Sequence, residues 1–204
     1  MLVFYVLTLA ACVTANSWVG VEQRIETSLK RLEVFEADGN LERRCTAGVI
    51  NQKMGYVVTA AHCIPEEQSK EIRVDGVSAR RVAVDRKKDL AILIAAALYG
   101  SDLSLGAKAP NVGEPIMVAG YALGRPGPIY TFGYITSMTG AGFYEGQLYD
   151  AHTAAGMSGG LVLNNRGQLI SVHQGSLLNS VGSPWLAYGA WLGELKDFIE
   201  PYKP

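Results

Sequence analysis

Thr153-Ala154-Ala155-Gly156-Met157-Ser158-Gly159-Gly160 sets one serine in a glycine-rich turn. A serine hydroxyl attacks a carbonyl only when a base stands within hydrogen-bond reach. The attacked carbonyl becomes an oxyanion, and backbone N–H groups must already be aimed at it. Glycines let the main chain turn sharply and approach a substrate closely. The N–H groups of Gly156 and Ser158 are the candidate donors of such an oxyanion hole. His62, in Thr59-Ala60-Ala61-His62-Cys63, is the candidate base. An imidazole titrates near neutrality, so it can take the serine proton and return it to a leaving amine. Asp89 opens the run Asp89-Leu90-Ala91-Ile92-Leu93. A carboxylate just ahead of a buried strand can hold one imidazole tautomer and stabilise the imidazolium. Asp85 is the rival acid, and Asp75 a poorer one, because Asp75-Gly76 suits a turn. Taken singly, each feature also fits a plain structural role: a loop serine, a strand-end histidine, a strand-capping aspartate.

Short strands must carry these residues. Thr46 to Ile50 and Tyr56 to Thr59 are β-rich and separated by Asn51 to Gly55, which reads as a hairpin. Ile72 to Val74 and Arg80 to Val84 flank Asp75-Gly76 as a second hairpin, and Leu90 to Ile94 reads as a buried strand. Tyr99 to Glu114 is polar and glycine-rich and suits a connection between two halves. Beyond it, Ile116 to Ala119, Ile129 to Met138, Gln147 to Ala151, Leu161 to Leu163, Leu169 to His173 and Trp185 to Tyr188 are expected strands. Trp191 to Ile199 is an expected C-terminal helix closed by Pro201. Near the start, Trp18, Val21, Ile25, Leu29 and Leu32 step by three and four, which predicts a helix over Ser17 to Leu32. Many short strands with regular turns argue for an all-β sandwich or barrel.

The chain has 204 residues, 49% of them hydrophobic, enough for one domain or two small halves sharing an interface. With 18 basic and 19 acidic residues the net charge is −1, which lacks the basic footprint of nucleic-acid binding. Arg80-Arg81 and Arg86-Lys87-Lys88 read as a solvated hairpin edge. Met1 to Val13 is apolar, too short to span a bilayer comfortably, and suits the apolar region of a secretory signal with Val13-Thr14-Ala15 as its cleavage site. Leu9-Ala10-Ala11-Cys12 also resembles a lipobox, which would lipidate Cys12. Removing Cys12 with the leader leaves Cys45 and Cys63, either as a disulfide or as two buried thiols.

The order His62, Asp89, Ser158 and the residues around them resemble the chymotrypsin-like serine peptidases over roughly residues 29–199. Thr-Ala-Ala-His-Cys, Asp-Leu-Ala-Ile-Leu and Gly-Met-Ser-Gly-Gly match the histidine, acid and nucleophile motifs. The resemblance implies two perpendicular six-stranded antiparallel β-barrels with a short C-terminal helix and a triad of His62, Asp89 and Ser158 in the cleft between them. It also implies a Cys45–Cys63 disulfide beside the histidine. The implied layout is a signal or lipoprotein signal over 1–15 and a peptidase domain over 16–204. Within that domain the first barrel spans about 29–98, the second about 114–190 and the helix about 191–200. Met157 departs from the digestive-type zymogens, which carry an aspartate before the serine to pair with a new N-terminus. That activation switch is not expected here. Thr153 and His173 resemble the pocket of bacterial glutamyl endopeptidases, and a similar pair in picornavirus-type proteases takes glutamine. A hydroxyl and an imidazole can both donate to a side-chain carbonyl or carboxylate. His152 beside Thr153 is expected to face solvent.

The reading is therefore an exported serine endopeptidase, periplasmic, extracellular or lipid-anchored, cutting after Glu, with Gln as the second choice. It calls for a peptide or protein substrate, no cofactor, no metal, no nucleic acid and a monomer. A lipidated Cys12 would add a membrane attachment. Alternatives are a quality-control protease of the high-temperature-requirement type without its peptide-binding domain, a viral polyprotein-processing protease and an inactive binding module. A zinc site of Cys45, His62, Cys63 and His152 is the weakest, since adjacent His62-Cys63 lacks the usual ligand spacing.

Overall fold

The computed structural model describes residues 18–139 and 146–204. The expected leader, its expected cleavage site and Cys12 lie outside the described residues. Two closed barrels of six antiparallel strands make up the fold. The first contains β1 (Leu29–Phe35), β2 (Leu41–Asn51), β3 (Tyr56–Thr59), β4 (Glu71–Val74), β5 (Val77–Asp85) and β6 (Leu90–Ala95). Its order is β1-β2-β3-β6-β5-β4, closed by pairing of β4 with β1. The second contains β7 (Pro115–Gly120), β8 (Ile129–Thr139), β9 (Gly146–Tyr149), β10 (Leu161–Asn164), β11 (Leu169–Leu178) and β12 (Pro184–Gly189). Its order is β10-β11-β12-β9-β8-β7, closed by β7 on β10.

Alternation of side chains across a strand explains why several of these runs are apolar at every position. Along β6, Ala91 and Leu93 point into the first barrel, while Leu90 and Ile92 join an apolar layer shared with the second. β7 does the same in the other half: Ile116 and Val118 fill its barrel, Met117 and Ala119 the shared layer. β10 adds Val162 to the barrel and Leu161 and Leu163 to the layer. Strands buried on both faces show no polar positions, so their sequences read as continuous hydrophobic runs.

The N-terminal expectation needs correcting. Helix α1 covers only Trp18–Ile25, and Leu29 and Leu32 belong to β1. Ser28 ends the helix: its N–H donates to Ile25 O and its hydroxyl donates to Ser101 O at 2.6 Å. Spacing by three and four agreed with a helix for one short span, and beyond it pairing with β2 and β4 decides. At the other end, helix α2 (Leu192–Ile199) buries Leu192, Leu195 and Ile199. Among the described residues no helix is long and apolar enough to cross a membrane.

Cys45, in β2, is bonded to Cys63, in the turn after β3, across 18 residues of sequence. Both sulfurs are therefore committed, and the zinc alternative loses its two thiolates. On the chain-entropy argument, closing a loop of this length contributes about 3 kcal/mol. Cys45→Ser/Cys63→Ser is expected to lower the unfolding free energy by about that amount in denaturant melts. An unchanged midpoint would show that the loop is already constrained when unfolded.

Candidate active site

His62 sits in a single 3-10 turn (Ala61–Cys63) directly after β3. Arginines cap two of the turn's carbonyls and that of Ile64 just after it. Arg86 donates to Ala61 O and to Ile64 O, the latter at 2.7 Å, and Arg43 donates to His62 O. Arg86 is thus a bracket for the histidine turn rather than part of a solvated edge. Arg81, too, is engaged, with the carbonyls of Glu66 and Glu67.

Asp89 ends the turn between β5 and β6 and holds His62 twice. Its Oδ1 accepts the His62 main-chain N–H at 2.7 Å, and its Oδ2 lies 2.8 Å from Nδ1. A carboxylate at Nδ1 leaves the lone pair on Nε2, the nitrogen that can act as a base. Asp89 has φ of 51°, in the left-handed region that non-glycine residues seldom adopt. Gln174 braces it from the second barrel: 6% exposed, its amide donates to Lys88 O at 2.6 Å and to Asp89 O at 3.3 Å. The rival acids are occupied elsewhere. Asp85 accepts the N–H groups of Lys87 and Lys88, each at 3.0 Å, and Asp75 pairs with Lys30 and accepts the Arg31 N–H.

Ser158 lies in the tight turn before β10. Its carbonyl accepts the Thr46 N–H at 2.8 Å, and Cys63 Sγ lies 3.7 Å from the same oxygen. That places the serine against the residue following His62. Among the described residues its hydroxyl has no hydrogen bond; such contacts tighten when substrate binds. Gly156 has φ of 96°, and a side chain there would meet Tyr121 O at 2.5 Å. Gly159 has φ of 80°, and a Cβ would fall 2.1 Å from Thr46 O. Neither position tolerates a side chain. Met157 N–H donates to Ala154 O and Gly159 N–H to His173 O. Gly156 and Ser158 N–H have no protein partner among the described residues. Met157 itself is buried in the second barrel with Ile116, Ile135 and Tyr149. Apolar packing anchors this turn.

Thr46, which sequence reading passed over, ties the turn to the first barrel. Its hydroxyl donates to Gly156 O at 2.9 Å and accepts the Tyr121 N–H at 2.9 Å. Thr59, from the histidine motif, donates to Thr46 O at 2.7 Å. The signal in Thr46 is a β-branched hydroxyl beside Cys45, too common to single out.

On β11, His173 is buried beside Tyr149, whose hydroxyl lies 2.7 Å from Nδ1 and 3.1 Å from Tyr188 O. Burial pushes the His173 pKa down to about 4, so the ring is neutral at pH 7. Thr153 meets Ser176 rather than His173, the two hydroxyls standing 2.6 Å apart. Tyr149 and Ser176 are further residues that sequence reading missed. Ser176 follows His173 by three, a spacing the β-bulge after His173 brings to one face. His152 is exposed.

The arrangement offers a base oriented by an acid, a hydroxyl in a braced turn, two unpartnered N–H groups and a lining of neutral donors. A trypsin-like peptidase domain matches residues 45–172, more than half of the chain. The fold is similar to that of the serine endoprotease from Yersinia pestis, with a TM-score of 0.74 and 19% identity. That match covers 91% of this chain and 66% of the Yersinia chain, so this chain spans just under two thirds of that length. It is similar also to a protease of M. tuberculosis in its active form, with a TM-score of 0.74, 20% identity, and 88% and 82% of the two chains covered. No curated protein sequence matches significantly.

Proposed function

The chain belongs to the trypsin-like peptidase domain family, and from that premise we propose that it is a serine endopeptidase whose triad is Ser158, His62 and Asp89. The observation that carries this is the double hold of Asp89 on His62, at 2.7 and 2.8 Å, beside a serine whose own N–H and that of Gly156 are unengaged among the described residues. Ser158 Oγ attacks the scissile carbonyl while His62 Nε2 takes its proton. The carbonyl oxygen gathers negative charge between the Gly156 and Ser158 N–H groups. Collapse breaks the C–N bond, and His62 passes the proton to the leaving amine. A water then enters by the same route in reverse, His62 taking its proton, and releases the acid and the free serine.

The residue before the cut is glutamine or glutamate. Thr153, Ser176 and His173 line the pocket with hydroxyl and imidazole donors and, among the described residues, no fixed cation. The Tyr149 hydroxyl has one proton for two acceptors. Given to His173 Nδ1, it leaves a proton on Nε2, ready to donate to a side-chain carbonyl. A neutral donor takes a glutamine carbonyl without desolvating a charge, so this pocket tilts the choice toward glutamine. The disulfide accords with export. The quality-control alternative shares the fold, and the imidazole in the pocket favours the Glu/Gln reading over it.

Profiling the purified chain on a peptide library tests the proposal. Cleavage confined to bonds after Gln or Glu is expected; cleavage after Arg, Lys or large apolar residues would remove the pocket assignment. The acid is tested separately. Asp89→Asn is expected to lower kcat by about four powers of ten, as a wrong tautomer does. Asp85→Asn is expected to leave kcat near wild type. The reverse ranking would reassign the acid.

A further inference from the structure

We propose that the leaving-group side of the cleft is a binding site for an acidic segment, so that Asp or Glu is favoured at the first two positions after the cut. This rests on the serine peptidase reading, which puts the residue before the cut against His173 and Ser176. The chain beyond the cut then leaves past the opposite flank of Ser158. That flank is built from the start of β2, the Cys45–Cys63 bridge and the turn at residues 121–125. The pieces are contiguous with the reacting groups. Arg43 donates to His62 O, and Leu123 N–H donates at 2.8 Å to Ala155 O, next to Gly156. Arg44 Nη1 stands 2.8 Å from where a Cβ on Gly124 would lie, so this guanidinium covers the turn.

The free donors of this flank are cationic. Arg125 is exposed and has no ion pair among the described residues. Among the described residues Arg44 spends only Nε on Glu33, at 3.3 Å, and its side chain is 46% exposed. Its two Nη groups remain for a ligand. Arg43 pairs weakly with Glu42 at 3.4 Å, and Glu42 is shared with Lys70 at 3.0 Å. Arg31 stacks on Tyr121 and donates to the carbonyls of Arg125 and Pro126, which holds the loop carrying Arg125. Asp75 is taken by Lys30. A guanidinium with unfilled N–H groups is a carboxylate receptor. The same rim carries backbone strain. Leu123 has φ of 53° and is 68% exposed, a strained and solvent-facing apolar residue held by its bond to Ala155.

The test uses the full chain with Ser158→Ala, so that binding is read apart from turnover. Two labelled peptides share the residues up to a glutamine and continue with Glu-Glu or Lys-Lys. Fluorescence polarisation is expected to show the acidic peptide bound about tenfold more tightly at low ionic strength, with the ratio shrinking in 0.5 M salt as exposed charges are screened. Arg125→Gln and Arg44→Gln, each added singly, are expected to cut the ratio about threefold. The Arg125 side chain has no partner among the described residues to lose, so that variant is expected to fold as the parent does. Equal affinities, a preference for the lysine peptide, or a ratio unmoved by both variants would overturn the inference. A wild-type chain that cleaves nothing would count against the peptidase reading instead, and the binding ratio would still report on the arginines.

Discussion

Ser158→Ala is expected to lose peptide cleavage by about four powers of ten or more while the chain stays folded. The hydroxyl has no hydrogen bond among the described residues, so its removal strands no partner. The main-chain bonds that shape the turn survive, including Thr46 N–H to Ser158 O at 2.8 Å and Gly160 N–H to Met157 O at 2.8 Å. Thermal melting of the variant should therefore overlay the wild type. A rate within a few-fold of wild type would exclude Ser158 as nucleophile. A lost fold would leave the rate uninterpretable, and Ser158→Cys, which keeps the volume, then supplies the kinetic comparison.

His173→Ala carries the second large effect. Removing the imidazole takes away a buried donor and leaves the Tyr149 hydroxyl without its 2.7 Å partner. On peptides with Gln or Glu before the cut, kcat/KM is expected to fall about 10- to 100-fold, because an unpaired polar group in a closed site is costly. Tyr149→Phe should move the same ratio in the same direction and by less. Because the ring is neutral above about pH 4, the preference for Glu relative to Gln should fall as pH rises from about 4 to 6 and stay flat above, following ionisation of the substrate carboxyl. Stability follows from the same depressed value. Between an ordinary histidine pKa near 6.5 and the folded value of about 4, the unfolded chain binds a proton that the folded chain refuses. Stability contributed here is complete above pH 6.5 and lost as pH falls through that window, on the order of 3 kcal/mol. His173→Gln should flatten this acid slope in pH-dependent melts. An unchanged slope and an unchanged Gln/Glu profile together would place His173 outside the pocket.

How far the chain could be read in advance varied with the range of the interactions. Turn residues and alternating or continuous apolar runs are local, and eleven of the twelve described strands overlap the runs those patterns pick out, β2 starting five residues earlier and β11 ending five later, with β1 the exception. Leu29 and Leu32 misled because steps of three and four over a few residues satisfy a helix and a half-buried strand alike. Setting Cys12 aside with the expected leader left Cys45 and Cys63 as a disulfide or two thiols, and the family resemblance, not the count, implied the bond that the structure shows. Gln174, Thr46 and Ser176 were not legible. Gln174 reaches main chain 85 and 86 residues away, and Thr46 reaches Gly156 across 110. No local pattern encodes a partner that distant. Arg86 was misread for the same reason, since its use depends on which carbonyls the folded turn leaves open.

By itself, the sequence determined the all-β class, the positions of the turns and the short list of residues able to do chemistry: His62, Asp89, Ser158, Thr153 and His173. Residue type and spacing suffice for those, because backbone sterics, side-chain alternation and nucleophile chemistry act within a few residues. Only the tertiary structure decided between Asp89 and Asp85 as the partner of His62. Only it showed that His173 is neutral against Tyr149, and that Thr153 turns to Ser176. Those outcomes depend on burial and on contacts within each barrel between segments more than twenty residues apart in sequence, which exist only once that barrel has closed.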